Sequence, residues 1–162
     1  MLTLGIDPGS SNLGFGLIKG DKDPELVHYG CLTTPTGKEQ GEKLHYLFEN
    51  VSDLLSNNEV TDVSVEQLVY GRNVSSAASV WKTMGVVQLA ATQHGLSIVE
   101  YSPPQIKQAV TGSGRASKKD VQQMVKIILG MQDVPKPDHA ADALATAICH
   151  LQNYRLQRLQ LT

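Results

Sequence analysis

Asp7 stands at the end of a short apolar run, LTLGID, directly before a glycine-rich stretch, PGSSNLGFG. A second carboxylate, Glu66, ends another such run, DVSVE. Asp138, His139 and Asp142 open a third stretch, DHAADALATAICH. If that stretch is helical, His139 shares a face with Asp142, and Asp138 could share one with it too. Carboxylates gathered in one place repel each other unless a cation sits among them. Oxygen-rich sets of this kind suit Mg²⁺ and Mn²⁺, and two such ions can clamp a phosphodiester. Each group also has an ordinary structural reading. Asp7 could close a turn with the backbone of Gly9 or Ser10. Glu66 could be a surface residue after a buried strand. Asp138 makes a good helix N-cap, Asp142 suits the positive end of a helix, and a lone histidine is more often structural than a ligand. Their joint placement at element boundaries favours the metal reading.

The elements that would carry these groups follow from apolar periodicity and turn signals. Residues 2–7, 12–19 and 25–34 read as strands separated by glycine turns and by DKDP, which suggests an antiparallel meander. A helix follows at about 40–57, with Leu44, Leu47, Phe48, Val51, Leu54 and Leu55 at helical spacing. Residues 62–66 form a strand, about 75–94 a long helix striped by Val80, Met84, Val87 and Ala91, and 96–101 another strand. Pro103 and Pro104 sit where a helix can start. Ser117 and Asp120 have capping-box spacing ahead of an apolar face of Val121, Met124, Val125 and Ile128, and Gly130 is a stop signal. The last helix opens at DHAADALA, and its tail from about 155 to 162 could extend it or fray. The order is that of a mixed α/β sheet with helices packed on it, in one domain spanning residues 1–162. If the strands ending at Asp7 and Glu66 are neighbours, their carboxylates meet at one edge, where α/β sheets collect chemistry.

A net charge of −2 argues against a nucleic-acid partner, but its distribution argues for one. Residues 1–66 hold 11 acids and 4 bases, whereas residues 67–119 hold Glu100 alone against Arg72, Lys82, Lys107, Arg115, Lys118 and Lys119. That middle third is a candidate anion-binding surface. Two cysteines, Cys31 and Cys149, fit a reducing, cytoplasmic setting. No apolar run approaches the roughly 18 residues of a membrane span, and the start does not read as a signal peptide.

Four blocks carry a resemblance: GIDPGSSNLGFGLI, VEQ at 65–67, QIKQAVTGSGRASKKDVQQMV at 105–125, and DHAADALATAICH at 138–150. In this order and spacing the chain resembles the RuvC-type Holliday junction endonucleases. The resemblance implies a ribonuclease H-like fold with a five-stranded mixed sheet and helices on both faces. It implies a homodimer, a divalent-metal site (two Mg²⁺ or Mn²⁺ ions) and paired nicks in four-way junction DNA. A branch-migration motor complex is a further partner it suggests. By position, Asp7, Glu66 and Asp142 match the family's catalytic acids, and His139 the fourth ligand, with Asp138 the runner-up. An imidazole in the set favours Mn²⁺ at least as much as Mg²⁺. Lys107 and Lys118 fall where the family places basic residues near the scissile phosphate. Arg115 and Lys119 are then backbone contacts, and Tyr70, Arg72 and Asn73 a loop that meets DNA, with Tyr70 in place of a stacking phenylalanine.

Three other readings compete. Actin-like and sugar-kinase-like enzymes also open with an acid, a glycine turn and a hairpin. They need two lobes around the nucleotide, though, and GSGRASKK lacks the end of a phosphate-binding loop. A related nuclease acting on RNA is matched less well by the basic block at 107–119. A module that binds junctions without cutting would be weakened by its own carboxylates.

Overall fold

The computed structural model describes residues 1–20, 23–68 and 74–160, the side chains at 74–76 and 155–160 excepted. Its elements are β1 (Leu2–Pro8), β2 (Asn12–Lys19), β3 (Glu25–Thr33), α1 (Gln40–Asn57), β4 (Asp62–Glu66), α2 (Val74–Gln93), β5 (Ile98–Tyr101), α3 (Pro103–Thr111), α4 (Lys118–Ile128) and α5 (Asp138–Gln160). The five strands form one sheet in the order β3-β2-β1-β4-β5. The expected meander is present: β1–β2 and β2–β3 are antiparallel. β1–β4 and β4–β5 are parallel, each reached through a helical crossover.

Strand alternation sorts the side chains onto two faces. Leu4, Ile6, Leu13, Phe15, Leu17, Val63 and Val65 pack against Leu47, Val51 and Leu55 of α1 and Met84, Val87 and Ala91 of α2. The opposite face carries α3, α4 and α5, through Ile106, Val110, Val121, Val125, Leu144 and Ile148. There the sheet is floored by glycine. A Cβ on Gly5 would overlap the Ala143 carbonyl oxygen, and one on Gly14 the His139 carbonyl oxygen. Ala140, Ala141, Ala143 and Ala147 of α5 are fully buried, so small residues on both sides let the helix lie directly on the strands. Gly14 and its neighbours therefore serve close packing, and Gly9 closes the turn after β1 by donating its N–H to the Asn12 carbonyl at 2.9 Å.

Local signals hold closely. The Ser117–Asp120 capping box opens α4, with Asp120 Oδ2 accepting from the Ser117 N–H at 3.0 Å. Pro103 and Pro104 start α3 behind an N-cap Ser102. Gly130 adopts φ 60° just past α4. β1 and β3 each end one residue from the expected bound, and β5 begins two residues late, at Ile98 instead of residue 96. The Leu96 N–H still bonds the Ala91 carbonyl at 2.9 Å, so the end of α2 claims it. The helix at 138 runs on to Gln160. At its far end the buried Tyr101 hydroxyl bonds His150 Nδ1 at 3.0 Å, and His150 Nε2 lies 3.4 Å from Asp62 Oδ1, which ties β5, α5 and β4 together. Cys31 and Cys149 are free thiols, the latter buried. No helix among the described residues is long and apolar enough to cross a membrane.

Candidate active site

β1 and β4 are adjacent and parallel, with Ile6 opposite Val65, so Asp7 and Glu66 are the next residues along at the same sheet edge. Both project to the α5 face, because Ile6 and Val65 are buried on the other. α5 runs across that face with its first turn at this edge, since Gly14, directly opposite Asp7, lies under His139. His139 Nδ1 donates to Asp7 Oδ2 at 2.6 Å. On α5, Asp142 faces the start of α4 and accepts from Lys118 Nζ at 2.8 Å. Asp138 turns the same way: Lys118 Nζ is 3.4 Å from its Oδ2, and Gln122 Nε2 donates to its Oδ1 at 3.1 Å. The two neighbours His139 and Asp138 thus face different partners, one toward β1 and one toward α4.

A cleft of about 310 Å³ is lined by Glu66, Pro103, Ile106, Lys107, Lys118, Val121, Asp142 and Ala145. Two of the sequence-predicted carboxylates and both predicted lysines share it. Lys107 lines it from α3, next to Ile106, which is buried at its wall. Arg115, just before α4, and Lys119, in its first turn, are exposed and do not line the cleft. Tyr70, Arg72 and Asn73 lie outside the described residues.

The electrostatics are those of crowded acids. Burial, followed by repulsion from Asp7 and Asp142, pushes the Glu66 carboxyl up from 4.5 to about 7. Burial also raises Asp7, against the His139 hydrogen bond that pulls it down. Burial opposes the charge on Lys118, but the hydrogen bond and charge of Asp142, then Asp138, hold its pKa above the ordinary value. The Gln122 hydrogen bond and the Lys118 charge keep Asp138 below its own.

The donor set, three carboxylates and an imidazole, fits a hard divalent cation in chemistry, and a cation would relieve the repulsion felt by Glu66. Among the described residues no three His, Cys, Asp or Glu side chains close into one ligand cluster. Asp7 is engaged by His139 and Asp142 by Lys118.

The raised Glu66 value has a measurable consequence. Between about 4.5 and about 7 the folded chain binds a proton that the unfolded chain has released. The associated stability is fully present below the lower value and is lost as the pH rises through the upper one. In chelator, Tm falls across this window, and Glu66→Gln flattens the slope. An unchanged slope in that variant would place the repulsion elsewhere.

Sequence reading missed the Gln122–Asp138 bond and the Tyr101–His150–Asp62 connection. Neither has a local signature, since each joins residues distant in the chain.

A family model described as crossover junction endodeoxyribonuclease RuvC matches residues 3–150. A crossover junction endodeoxyribonuclease RuvC of Desulfitobacterium hafniense is 47% identical over 158 residues, covering 96% of this chain and 95% of that one. The Thermus thermophilus RuvC structure superposes with a TM-score of 0.89 at 34% identity, covering 97% of both chains. The same bacterium's RuvC in complex with a Holliday junction substrate matches with a TM-score of 0.89 at 32% identity over 96% of both. Family model, sequence and structure agree over almost the whole length: the chain belongs to the RuvC family of crossover junction endodeoxyribonucleases.

Proposed function

We propose that this chain resolves four-way DNA junctions, acting as one ribonuclease H-like nuclease domain in a homodimer that nicks two opposed strands symmetrically. The observation that carries this reading is the convergence of Asp7, Glu66, Asp142, Lys107 and Lys118 at one sheet edge, drawn from β1, β4, α5, α3 and α4. A junction has approximate two-fold symmetry, so a C2 dimer offers one site to each of two equivalent strands.

Asp7, Glu66 and Asp142, with His139, would hold the divalent cations, two Mg²⁺ or Mn²⁺ ions per site. When bound, these supply Lewis acidity at the scissile phosphate and lower the pKa of the attacking water. Water adds at phosphorus, the bond to the 3′ oxygen breaks, and a 5′-phosphate is left. Lys107 and Lys118, on the cleft wall, neutralise the phosphate and the charge developing on the leaving oxygen. His139 orients Asp7 through the bond already present. Arg115 and Lys119 meet the backbone outside the cleft, and Tyr70, Arg72 and Asn73 meet the junction itself.

The deciding experiment offers the protein a mobile four-way junction, a linear duplex and an RNA–DNA hybrid. Symmetric nicks in the junction alone are expected, and preferred cutting of the hybrid would move the activity to RNA. Because imidazole is a softer ligand than carboxylate, Mn²⁺ supports cleavage at least as well as Mg²⁺. A clear Mg²⁺ preference in a metal titration would restrict His139 to orienting Asp7.

A further inference from the structure

Lys118 is the first residue of α4, where an ammonium meets the positive end of the helix. It needs acidic partners to stay there, and it has two. Its Nζ is 2.8 Å from Asp142 Oδ2 and 3.4 Å from Asp138 Oδ2. The two acids differ in place. Asp142 lines the cleft, whereas Asp138 does not, and its side chain is 66% exposed. Asp138 is itself fixed, because its second oxygen accepts from Gln122, one turn along α4 from Lys118. One carboxylate therefore bridges two residues of α4, one oxygen to each.

We propose that Asp138, held by Gln122, is a positioning residue that anchors Lys118 at the rim of the cleft so that Asp142 can exchange the ammonium for a divalent cation. This rests on the reading of the site as a metal-dependent nuclease centre. Two cations on one Asp142 oxygen repel each other. With only Asp142 as partner, Lys118 would compete with the metal directly. With Asp138 as a second anchor, the ammonium shifts its pairing outward and stays within reach of the phosphate. His139, one residue on, has no part in this, since it faces Asp7.

The test is a double-mutant cycle in the full-length protein, read by Mn²⁺ binding without DNA (electron paramagnetic resonance of free Mn²⁺) and by single-turnover junction cleavage. Asp138→Asn weakens Mn²⁺ binding about tenfold, the scale of losing an outer partner of a metal ligand. Lys118→Met removes the competitor and tightens Mn²⁺ binding above wild type, and adding Asp138→Asn to it changes nothing further. Asp138→Glu restores wild-type binding, and junction affinity stays level in the Asp138 variants. An equal loss from Asp138→Asn with and without Lys118 would make Asp138 a direct ligand and overturn the proposal. So would no loss in either background. A wild-type chain that binds no Mn²⁺ and cuts no junction would instead bring down the nuclease reading beneath it. A wild type that does both, with no coupling between positions 118 and 138, brings down this inference alone.

Discussion

Asp7→Asn abolishes junction cleavage, by about a thousandfold or more, while the fold and junction binding survive. A thousandfold corresponds to about 4 kcal/mol of lost transition-state stabilisation. The asparagine has the shape of the aspartate, and its carbonyl still accepts the 2.6 Å hydrogen bond from His139 Nδ1. What it lacks is the charge that a divalent cation needs at the end of β1. Burial already works against that charge, since it raises the Asp7 carboxyl above its usual range. Removing it leaves Tm unchanged or higher. Junction affinity should hold or rise slightly, because one negative group near the phosphates is gone. Single-turnover cleavage, gel-shift binding and thermal unfolding of the same preparation separate the three effects. Cleavage within tenfold of wild type would remove Asp7 from the metal site.

Gly14→Ala is the largest expected loss of stability. Gly14 faces Asp7 across the β1–β2 pair and lies beneath the first turn of α5. An added Cβ would overlap the backbone carbonyl of His139, which cannot swing aside as a side-chain tip could. α5 must lift from the sheet, at a cost of about 3 kcal/mol, the upper end for overpacking a tight contact. The same movement separates His139 from Asp7 and shifts Asp142 relative to Glu66, so activity falls even where the variant folds. Urea unfolding measures the first effect and cleavage at low temperature the second. Gly41→Ala is the control: nothing lies within 4 Å of a Cβ there, and it sits in helix α1. It should be neutral or slightly stabilising. A Gly14→Ala protein as stable as wild type would show that the floor under α5 is not tight.

By itself the sequence determined the features that short-range chemistry controls. The runs ending at Asp7 and Glu66 are strands because their apolar residues alternate or crowd, and the helix starts are written in the Pro103–Pro104 pair and in the Ser117–Asp120 capping box. The family blocks, being specific in residue and spacing, carried the expectation of a mixed sheet with helices on both faces. Tertiary structure alone decided what long-range packing controls. Parallel pairing of β1 with β4 is what makes Asp7 and Glu66 neighbours, across 59 positions of chain. The glycine turn after β1 is shared with nucleotide-binding enzymes, a reading that the need for two lobes already weakened, and α5 lying on Gly5 and Gly14 gives these glycines a packing role. The resemblance preferred His139 to Asp138, its runner-up, for one place. The way α5 is seated on the sheet, with His139 over Gly14, sends His139 to Asp7 and Asp138 to Lys118 and Gln122. Helical periodicity says which residues share a face. Which neighbour that face meets depends on how a whole helix is seated, and here the missing side chains of the glycine floor set the seat.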